Sequence, residues 1–386
     1  MPLGIDYTVG ISIEGESLSG LGNAPLLLSI SESCHQVVPT MEMQFLSDYD
    51  AVKRSPLYDG QRIGIAFHSE RGGSEEEEMH FQLFNYKIVR GELNRAKVEL
   101  SGVYQANDLL RARIESFEGP STSVFSDIAS RSGLGADVGQ SNDEQVWIRP
   151  GVKGGRFLND VANHAWGDES SFYSWGLTRT GVLVFHDVHE KMTKAVGGSA
   201  DWHFQILLDD RQLLGNRDEK QVFFIDPIQS SEAGGMNNLF GYGMGFQYHD
   251  LNGELQKVET EKFDKTVPNV MLDNRDESYL LHDALPITCG NTHDNYHQAF
   301  YQNLRFKALY SSLLKVSTRY PRSVHLLDTV DVVVPDAGKT ELDELHSGVY
   351  IVSAIKTTVD FESDTPLVTY TLVREGLTSD NVDTTY

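Results

Sequence analysis

The segment HSGVYIVSAIKTTVDF (346–361), followed after a polar turn by PLVTYTLVRE (366–375), decides how this chain folds. Both arms are rich in β-branched and aromatic residues, which favour strands. Ser363-Asp364-Thr365-Pro366 between them is typical of a turn. The sequence therefore predicts a β-hairpin that belongs to an antiparallel β-barrel.

A similar order of strand signals occurs near the other end of the chain. There, Leu57-Tyr58-Asp59-Gly60 precedes a short strand and then a strand pair at 81–91 and 96–104. In the C-terminal part, Leu327-Asp328-Thr329 precedes the strand Val330 to Val334 and then the hairpin quoted above. The repeated order predicts two related tube-like antiparallel β-barrels, one at each end of the chain.

Length, charge and cysteine count limit the classes of protein to consider. A chain of 386 residues is long enough for two to four domains. Its net charge of −24 argues against a protein that grips nucleic acid through phosphates. No apolar run is long enough to cross a bilayer, so we expect no membrane insertion. The two cysteines, Cys34 and Cys289, cannot form a disulfide framework, which favours synthesis in a reducing cytoplasm.

The predicted fold class is mainly β with an α/β insertion. Between the barrels, helical spacing appears at Val124, Phe125, Ile128 and Ala129, after a cap at Ser121 or Thr122, and ends at Gly133. A second helix and a hairpin follow, and the residues after them are β-rich but irregular. The predicted domains are a first tube-like barrel (1–104), an α/β module (105–190), an irregular β-rich module (191–293), and a helix with the second barrel and a polar tail (294–386).

One group of residues has the composition of a metal site. Cys289, His293 and His297 are spaced like ligands, and His282 or Asp283 could complete a tetrahedral zinc site. Gly290 and Asn291 precede the helix that this spacing requires, so Cys289 would lie outside it. Capping and surface histidines are the favoured interpretation, and we predict no metal.

Other candidate sites are weaker. The glycine-rich stretch 241–245 lies in a predicted hairpin of 239–248 with 254–259, and no helix follows it, so it does not predict a phosphate site. The carboxylate pairs Asp209-Asp210 and Asp168-Glu169 fit an acidic surface, and Trp166 and Trp175 fit a hydrophobic core better than a sugar site. We therefore predict no catalytic residue, no cofactor and no metal ligand.

The chain resembles the central baseplate hub proteins of contractile phage tails, a family shared with late-control tail proteins and the N-terminal part of type VI secretion spike proteins. The resemblance covers nearly the whole chain and departs from the family pattern at 250–291. It depends on the order of the predicted elements and on their residue patterns, and on no single motif. The segments that carry it are SVFSDIASRSGL (123–134), RFLNDVANHAW (156–166), SFYSWGLTRTGVLVFHDV (171–188), LHSGVYIVSAIKT (345–357) and VTYTLVRE (368–375).

This resemblance implies a structural protein of the virion. In the family, three chains form a ring in which two barrels per chain give six similar barrels. Such a homotrimer joins the sixfold tail tube protein above to the threefold central spike protein below, with other baseplate proteins and the tape measure protein as further partners. Genomic DNA passes through the ring without specific binding, and an acidic lining of the hole would keep the phosphates off the wall.

Two alternatives of other kinds remain at this point. One is a distal or adsorption tail protein of a non-contractile phage, which has similar barrels. The other is a tail-associated cell-wall hydrolase, which would require a concave site with two facing carboxylates. A ring of three chains would separate the hub from both.

Overall fold

The fold is given by a computed structural model of the chain. It describes residues 7–18, 23–34, 36–54, 57–69, 77–91, 94–168, 170–207, 309–310, 312–318, 323–335, 343, 346–362 and 365–374, together with the short strands 221–225, 229–232, 246–249, 255–258 and 285–286. This part of the chain is mainly β, as the sequence predicts. None of its helices is long and apolar enough to span a membrane.

The N-terminal part forms the strands that we call the first strand set. Its spatial order is β1-β5-β6-β7-β4-β3, and every neighbouring pair is antiparallel. The bounds are β1 (Tyr7–Ile13), β2 (Glu16–Ser17), β3 (Ala24–Ser33), β4 (Thr40–Asp48), α1 (Tyr49–Arg54), β5 (Arg62–Ser69), β6 (Glu77–Arg90) and β7 (Arg95–Tyr104).

Period-two alternation produces the core of this set. On β4, Met41, Met43 and Phe45 are buried on one face, as their spacing predicts. The buried residues of the other strands join them in a single hydrophobic cluster. α1 contributes no buried residue to it.

The middle of the chain contains most of the helices. The elements are α2 (Asn107–Leu110), β8 (Ala112–Gly119), α3 (Ser121–Ser132), β9 (Gly135–Val138), β10 (Gln145–Lys153), α4 (Gly154–His164), β11 (Tyr173–Leu177), β12 (Val182–Asp187) and α5 (Val188–Lys194), followed by a π-helical turn (Ala195–Ser199). β8 pairs with β10, and β12 pairs with both β11 and β9. α3, α4 and these strands share one hydrophobic core.

Both predicted helices of this region are present, and the predicted stripe of α3 is buried. Gly133 ends α3 in the left-handed conformation, with φ 70°. The predicted cap is wrong: Ser121 lies inside the helix, and its N–H donates to Asp143 Oδ1 at 2.9 Å. The ribbon of β8 and β10 has no counterpart in the sequence prediction, because its strands are half exposed on one face and interrupted by Pro150 and Gly151.

The remaining strands include a second set. Its order is β13-β20-β21-β22-β19-β15, and all pairs are antiparallel except β13 with β20, which is parallel. The bounds are β13 (Trp202–Leu207), β14 (Gln221–Ile225), β15 (Gln229–Glu232), β16 (Phe246–His249), β17 (Leu255–Val258), β18 (Leu285–Pro286), β19 (Ser312–Thr318), β20 (Thr329–Val333), β21 (Gly348–Asp360) and β22 (Thr365–Arg374). β21 and β22 confirm the predicted hairpin.

The observed sheet differs from two of the predictions, because it connects strands that the sequence assigns to separate domains. β13, β14 and β15 come from the predicted 191–293 module, yet they pair within the sheet of the second set. The predicted closure of the barrels is not confirmed, because among the described residues the strand path runs from β14 to β2 without returning on itself. The predicted pairing of 239–248 with 254–259 is found in its described part, β16 with β17.

Candidate assembly surface

Strand β21 joins the two strand sets. Along one edge, its first residues pair with β20, up to Ile351 with Thr329. Further along the same edge, Ala354 to Asp360 pair with β3 of the first set. The other edge pairs with β22 from Ile351 to Asp360, across a bulge at Ser353. The two sets therefore form one continuous sheet, with β20 and β3 placed end to end along β21.

Backbone hydrogen bonds close the gap between β20 and β3. Cys34 N–H donates to Ser353 O at 2.9 Å, and Leu327 N–H donates to Val352 O at 2.9 Å. The Ser353 hydroxyl donates to Thr371 O at 3.1 Å. The carbonyl groups of Val352, Ser353 and Thr371 therefore all accept a hydrogen bond. The buried bulge costs little free energy, because it leaves none of these three groups unpaired.

A turn from the middle of the chain is anchored at this junction. The β11–β12 turn places Arg179 against Glu32 of β3, and both side chains are buried. The Arg179 N–H donates to the Glu32 carboxylate, and a guanidinium nitrogen lies 3.6 Å from Glu32 Oε1. β11 approaches so closely that a Cβ at Gly176 would lie 2.7 Å from Leu326 Cδ1. The junction therefore fixes the middle of the chain as well as the two strand sets.

A second buried arginine fixes the β8–β10 ribbon. Arg149 is fully buried, and its Nη1 pairs with Glu115 at 2.7 Å and with Asp108 at 3.3 Å. Its other N–H groups donate to the carbonyl groups of Val152, Asp108 and Arg111. Every donor of the guanidinium is used, so this group is structural and is not available to a ligand.

The loop before β5 in the first set has a specific hydrogen-bond pattern. Gly60 has φ 85°, and its N–H donates to Leu83 O at 2.7 Å. Leu83 N–H donates to Gln61 O at 2.9 Å, and Gln61 N–H donates to Tyr58 O at 3.3 Å. The Gln61 side-chain oxygen accepts from Tyr58 N–H at 3.5 Å.

The loop before β20 in the second set repeats this pattern bond for bond. Leu327 has φ 65°, and its N–H donates to Val352 O at 2.9 Å. Val352 N–H donates to Asp328 O at 2.9 Å, and Asp328 N–H donates to His325 O at 3.3 Å. Asp328 Oδ2 accepts from His325 N–H at 2.8 Å and also from Trp202 Nε1 at 3.0 Å.

The strands after these loops repeat as well. β5-β6-β7 and β20-β21-β22 are antiparallel meanders, and each middle strand has a bulge directly after the residue that bonds the loop: Phe84 after Leu83, and Ser353 after Val352. The related order predicted from sequence is thus present in strand order, backbone bonds and bulge position. Gly60 corresponds to Leu327, and Gln61 to Asp328.

Burial sets the ionisation of the groups near the junction. It raises the pKa of the Cys34 thiol to about 12, so this cysteine is protonated at neutral pH and is not a nucleophile. Burial also raises the pKa of Asp328, and it raises the pKa of Asp187, which caps α5, to about 6. The carboxylates Glu32, Asp143, Asp187 and Asp328 all accept backbone hydrogen bonds, as structural groups do.

Most of the residues considered as sites from the sequence lie outside the described residues: Cys289, His293, His297, His282, Asp283, Asp209, Asp210, Glu169 and 241–245. In the part of the chain that is described, no group of three or more His, Cys, Asp or Glu side chains could hold a metal ion. Asp168 accepts from Ser170 N–H at 2.8 Å as a turn residue. Trp175 is buried and donates to Asn159 Oδ1 at 2.8 Å, which fits the predicted core role.

Two surfaces carry exposed apolar side chains. The outer face of the β8–β10 ribbon presents Ile114, Val146 and Ile148, of which Ile114 is 87% exposed. The second half of β6 presents Phe84, Tyr86 and Val89, which are 53%, 39% and 42% exposed. On that half of β6, no described strand pairs with the edge beyond Leu83. Several exposed apolar side chains beside an unpaired strand edge favour a contact surface.

Comparison with solved structures shows where this fold occurs elsewhere. A tail protein from Neisseria meningitidis matches with a TM-score of 0.59 at 13% identity, over 96% of this chain and 97% of that one. The 43 kDa tail protein of prophage MuSo2 from Shewanella oneidensis matches with a TM-score of 0.58 at 13% identity, over 96% and 99%. No protein family and no curated protein matches the sequence.

A third similar structure extends the comparison beyond phages. The E. coli c3393 protein, described as a component of the type VI secretion system with structural similarity to the T4 bacteriophage tail proteins gp27 and gp5, matches with a TM-score of 0.50 at 10% identity, over 94% of this chain and 76% of that one. The chain has the fold of phage tail proteins. The fold is shared with this secretion component, so the resemblance read from the sequence is confirmed at the level of the fold.

Proposed function

We propose that this protein is the structural hub of a phage tail baseplate. Three copies form a ring with pseudo-sixfold symmetry between the sixfold tail tube and the threefold central spike. The hole of the ring is part of the DNA channel. The observation that carries the proposal is the duplication within one chain, down to the same four hydrogen bonds in the loops before β5 and β20.

Symmetry connects the duplication to the function. A chain with two equivalent units presents six units when three chains close a ring, so it matches a sixfold partner on one side and a threefold partner on the other. Each strand set contributes one of the six units and curls into a tube-like barrel. The single core shared by the inward residues of the first set supports this curvature.

The proposal assigns no catalysis. The buried carboxylates Glu32 and Asp143 accept hydrogen bonds from backbone N–H groups, and the buried Asp108 pairs with Arg149, whose donors are all used. A hydrolase would place two facing carboxylates in an open cleft. The protein acts by shape and assembly, in the tail of the virion, after synthesis in the host cytoplasm.

The partners follow from the place in the tail. The tail tube protein lies above the ring, the spike protein below, and other baseplate proteins and the tape measure protein contact it. Genomic DNA crosses the ring without specific binding. A net charge of −24 supports free passage, since an acidic wall repels phosphates.

The test is the stoichiometry and shape of the purified full-length protein. Native mass spectrometry should give three chains, and projection images should show a ring with six similar lobes around a hole. A protein that stays monomeric at micromolar concentration, or a ring of six chains, would contradict the proposal.

A further inference from the structure

The two strand sets differ at one edge. In the second set, the part of β21 after the bulge is covered by β3, and Ile355 on it is 1% exposed. In the first set, the matching part of β6 has no strand on that edge among the described residues. Tyr86, which stands two residues after its bulge as Ile355 does, is 39% exposed.

The counterpart of β3 in the second set is β15. Ile30 of β3 is in register with Gly102 of β7, with β4 between them. In the same way, Ser230 of β15 is in register with Leu372 of β22, with β19 between them. Gly102 and Leu372 are themselves equivalent, since each pairs with the last residue before the bulge. Like β3, β15 is the last strand on its side, because within the described residues it pairs only with β19.

We propose that the β6 edge from Asn85 to Arg90 pairs antiparallel with β15 of a second copy of this chain. This inference rests on the proposed ring. Within a chain, the β3 edge of the first set meets the β21 edge of the second. Between chains, the β15 edge of one copy, which is equivalent to the β3 edge, meets the β6 edge of the next copy, which is equivalent to the β21 edge. All six contacts around the ring then have the same geometry, as pseudo-sixfold symmetry requires.

The register of this contact follows from the one inside the chain. Thr357 pairs with Ile30 across β21 and β3. Ile88 is the equivalent of Thr357, because each is the fourth residue after its bulge, and Ser230 is the equivalent of Ile30. Ile88 of one copy is therefore opposite Ser230 of the next, and Tyr86 is opposite Glu232. Pairing along this edge satisfies the backbone groups of β6 and covers its exposed side chains.

A cross-linking experiment tests the register. In a Cys289→Ser background, Ile88→Cys and Ser230→Cys are introduced together, and a short bifunctional thiol reagent is added to the full-length protein. Residues directly opposite on antiparallel strands have Cβ atoms about 5 Å apart, so covalent dimers and trimers should form. The matched control combines Ser230→Cys with Ile148→Cys on the β10 face, and it should give no linked species. The native Cys34 is buried and should not react.

Native mass measurement of the same samples separates the two proposals. A trimer that links through 88 and 230 supports the contact. A trimer that does not link through them overturns the contact and leaves the ring standing. A protein that does not form trimers overturns both.

A charge variant provides an independent measurement. Val89→Lys puts a charge on the β6 edge and should weaken the trimer about tenfold or more, since a lysine on an edge strand opposes pairing. The control is Val196→Lys, which changes the same residue type at a position 54% exposed and should leave the trimer intact. An unchanged dissociation constant for Val89→Lys, with the fold verified by circular dichroism, would contradict the contact.

Discussion

The two strand sets share an architecture but reach it in different ways. Both have an antiparallel meander with a bulge in its middle strand and the same bonded loop before it. The first set adds β1 antiparallel to β5, whereas the second adds β13 parallel to β20. α1 contributes only the half-buried Val52 to the first core, while Val188 and Met192 of α5 are buried in the second. The meander and its loop are thus the preserved unit, and the flanking elements vary around it.

The largest expected effect is at the contact between the sets. Glu32→Ala removes the carboxylate that faces the buried Arg179 guanidinium, and we expect a loss of about 3–5 kcal/mol in the free energy of unfolding, because a buried charge loses its partner. Glu32→Gln keeps an acceptor for the Arg179 N–H and should cost less. Urea unfolding measures both, and equal losses would show that the acceptor for the Arg179 N–H adds nothing beyond the charge.

Gly60 and Leu327, the two loop residues with left-handed backbone, should differ in the stability that a substitution removes. Leu327→Ala should cost about 2–4 kcal/mol, because Leu327 is a buried core residue. Gly60→Ala should cost about 1 kcal/mol, because φ 85° disfavours a Cβ although nothing lies within 4 Å of it. Thermal unfolding of the two variants measures the difference. Equal losses in stability would mean that Leu327 and Gly60 contribute equally to their two strand sets.

A pH dependence is expected at Asp187, which caps the helix α5 that packs on the second set. The pKa of Asp187 rises from 3.8 to about 6 on folding, so its contribution is present below pH 4 and is lost as the pH rises through about 6. Asp187→Asn keeps the acceptor and removes the charge. Relative to wild type, the variant should gain about 2 kcal/mol between pH 4 and pH 7.5 in urea unfolding. A pH-independent difference would exclude this cause.

The smallest effect distinguishes the loop side chains. Asp328→Ala removes two hydrogen bonds, to His325 N–H and to Trp202 Nε1, whereas Gln61→Ala removes one long bond of 3.5 Å. We expect losses of about 1.5 and about 0.5 kcal/mol in the free energy of unfolding. If Gln61→Ala costs as much as Asp328→Ala in chemical denaturation, the tryptophan bond adds nothing to the second loop.

The sequence predicts the elements better than their partners. The hairpin of β21 and β22 and the buried stripe of α3 follow from residue types and periodicity, and the repeated strand order follows from comparing the two ends. The parallel pairing of β13 with β20 has no such signal, because parallel neighbours need no turn between them. Asp143 replaces the predicted cap of α3 from a distant position, and Glu32 meets Arg179 at a separation of 147 positions. Contacts of this kind depend on packing, which local patterns do not encode.

The pairing of β3 with β21 also limits how early during synthesis the sheet can be completed. Ser33 pairs with Ala354, which a ribosome adds about 320 residues later, so roughly tens of seconds pass at 5–20 residues per second. During that interval the edge of β3 lacks its partner strand, because the β21–β22 hairpin has not yet been made. The first strand set therefore completes its sheet only after β21 has been synthesised.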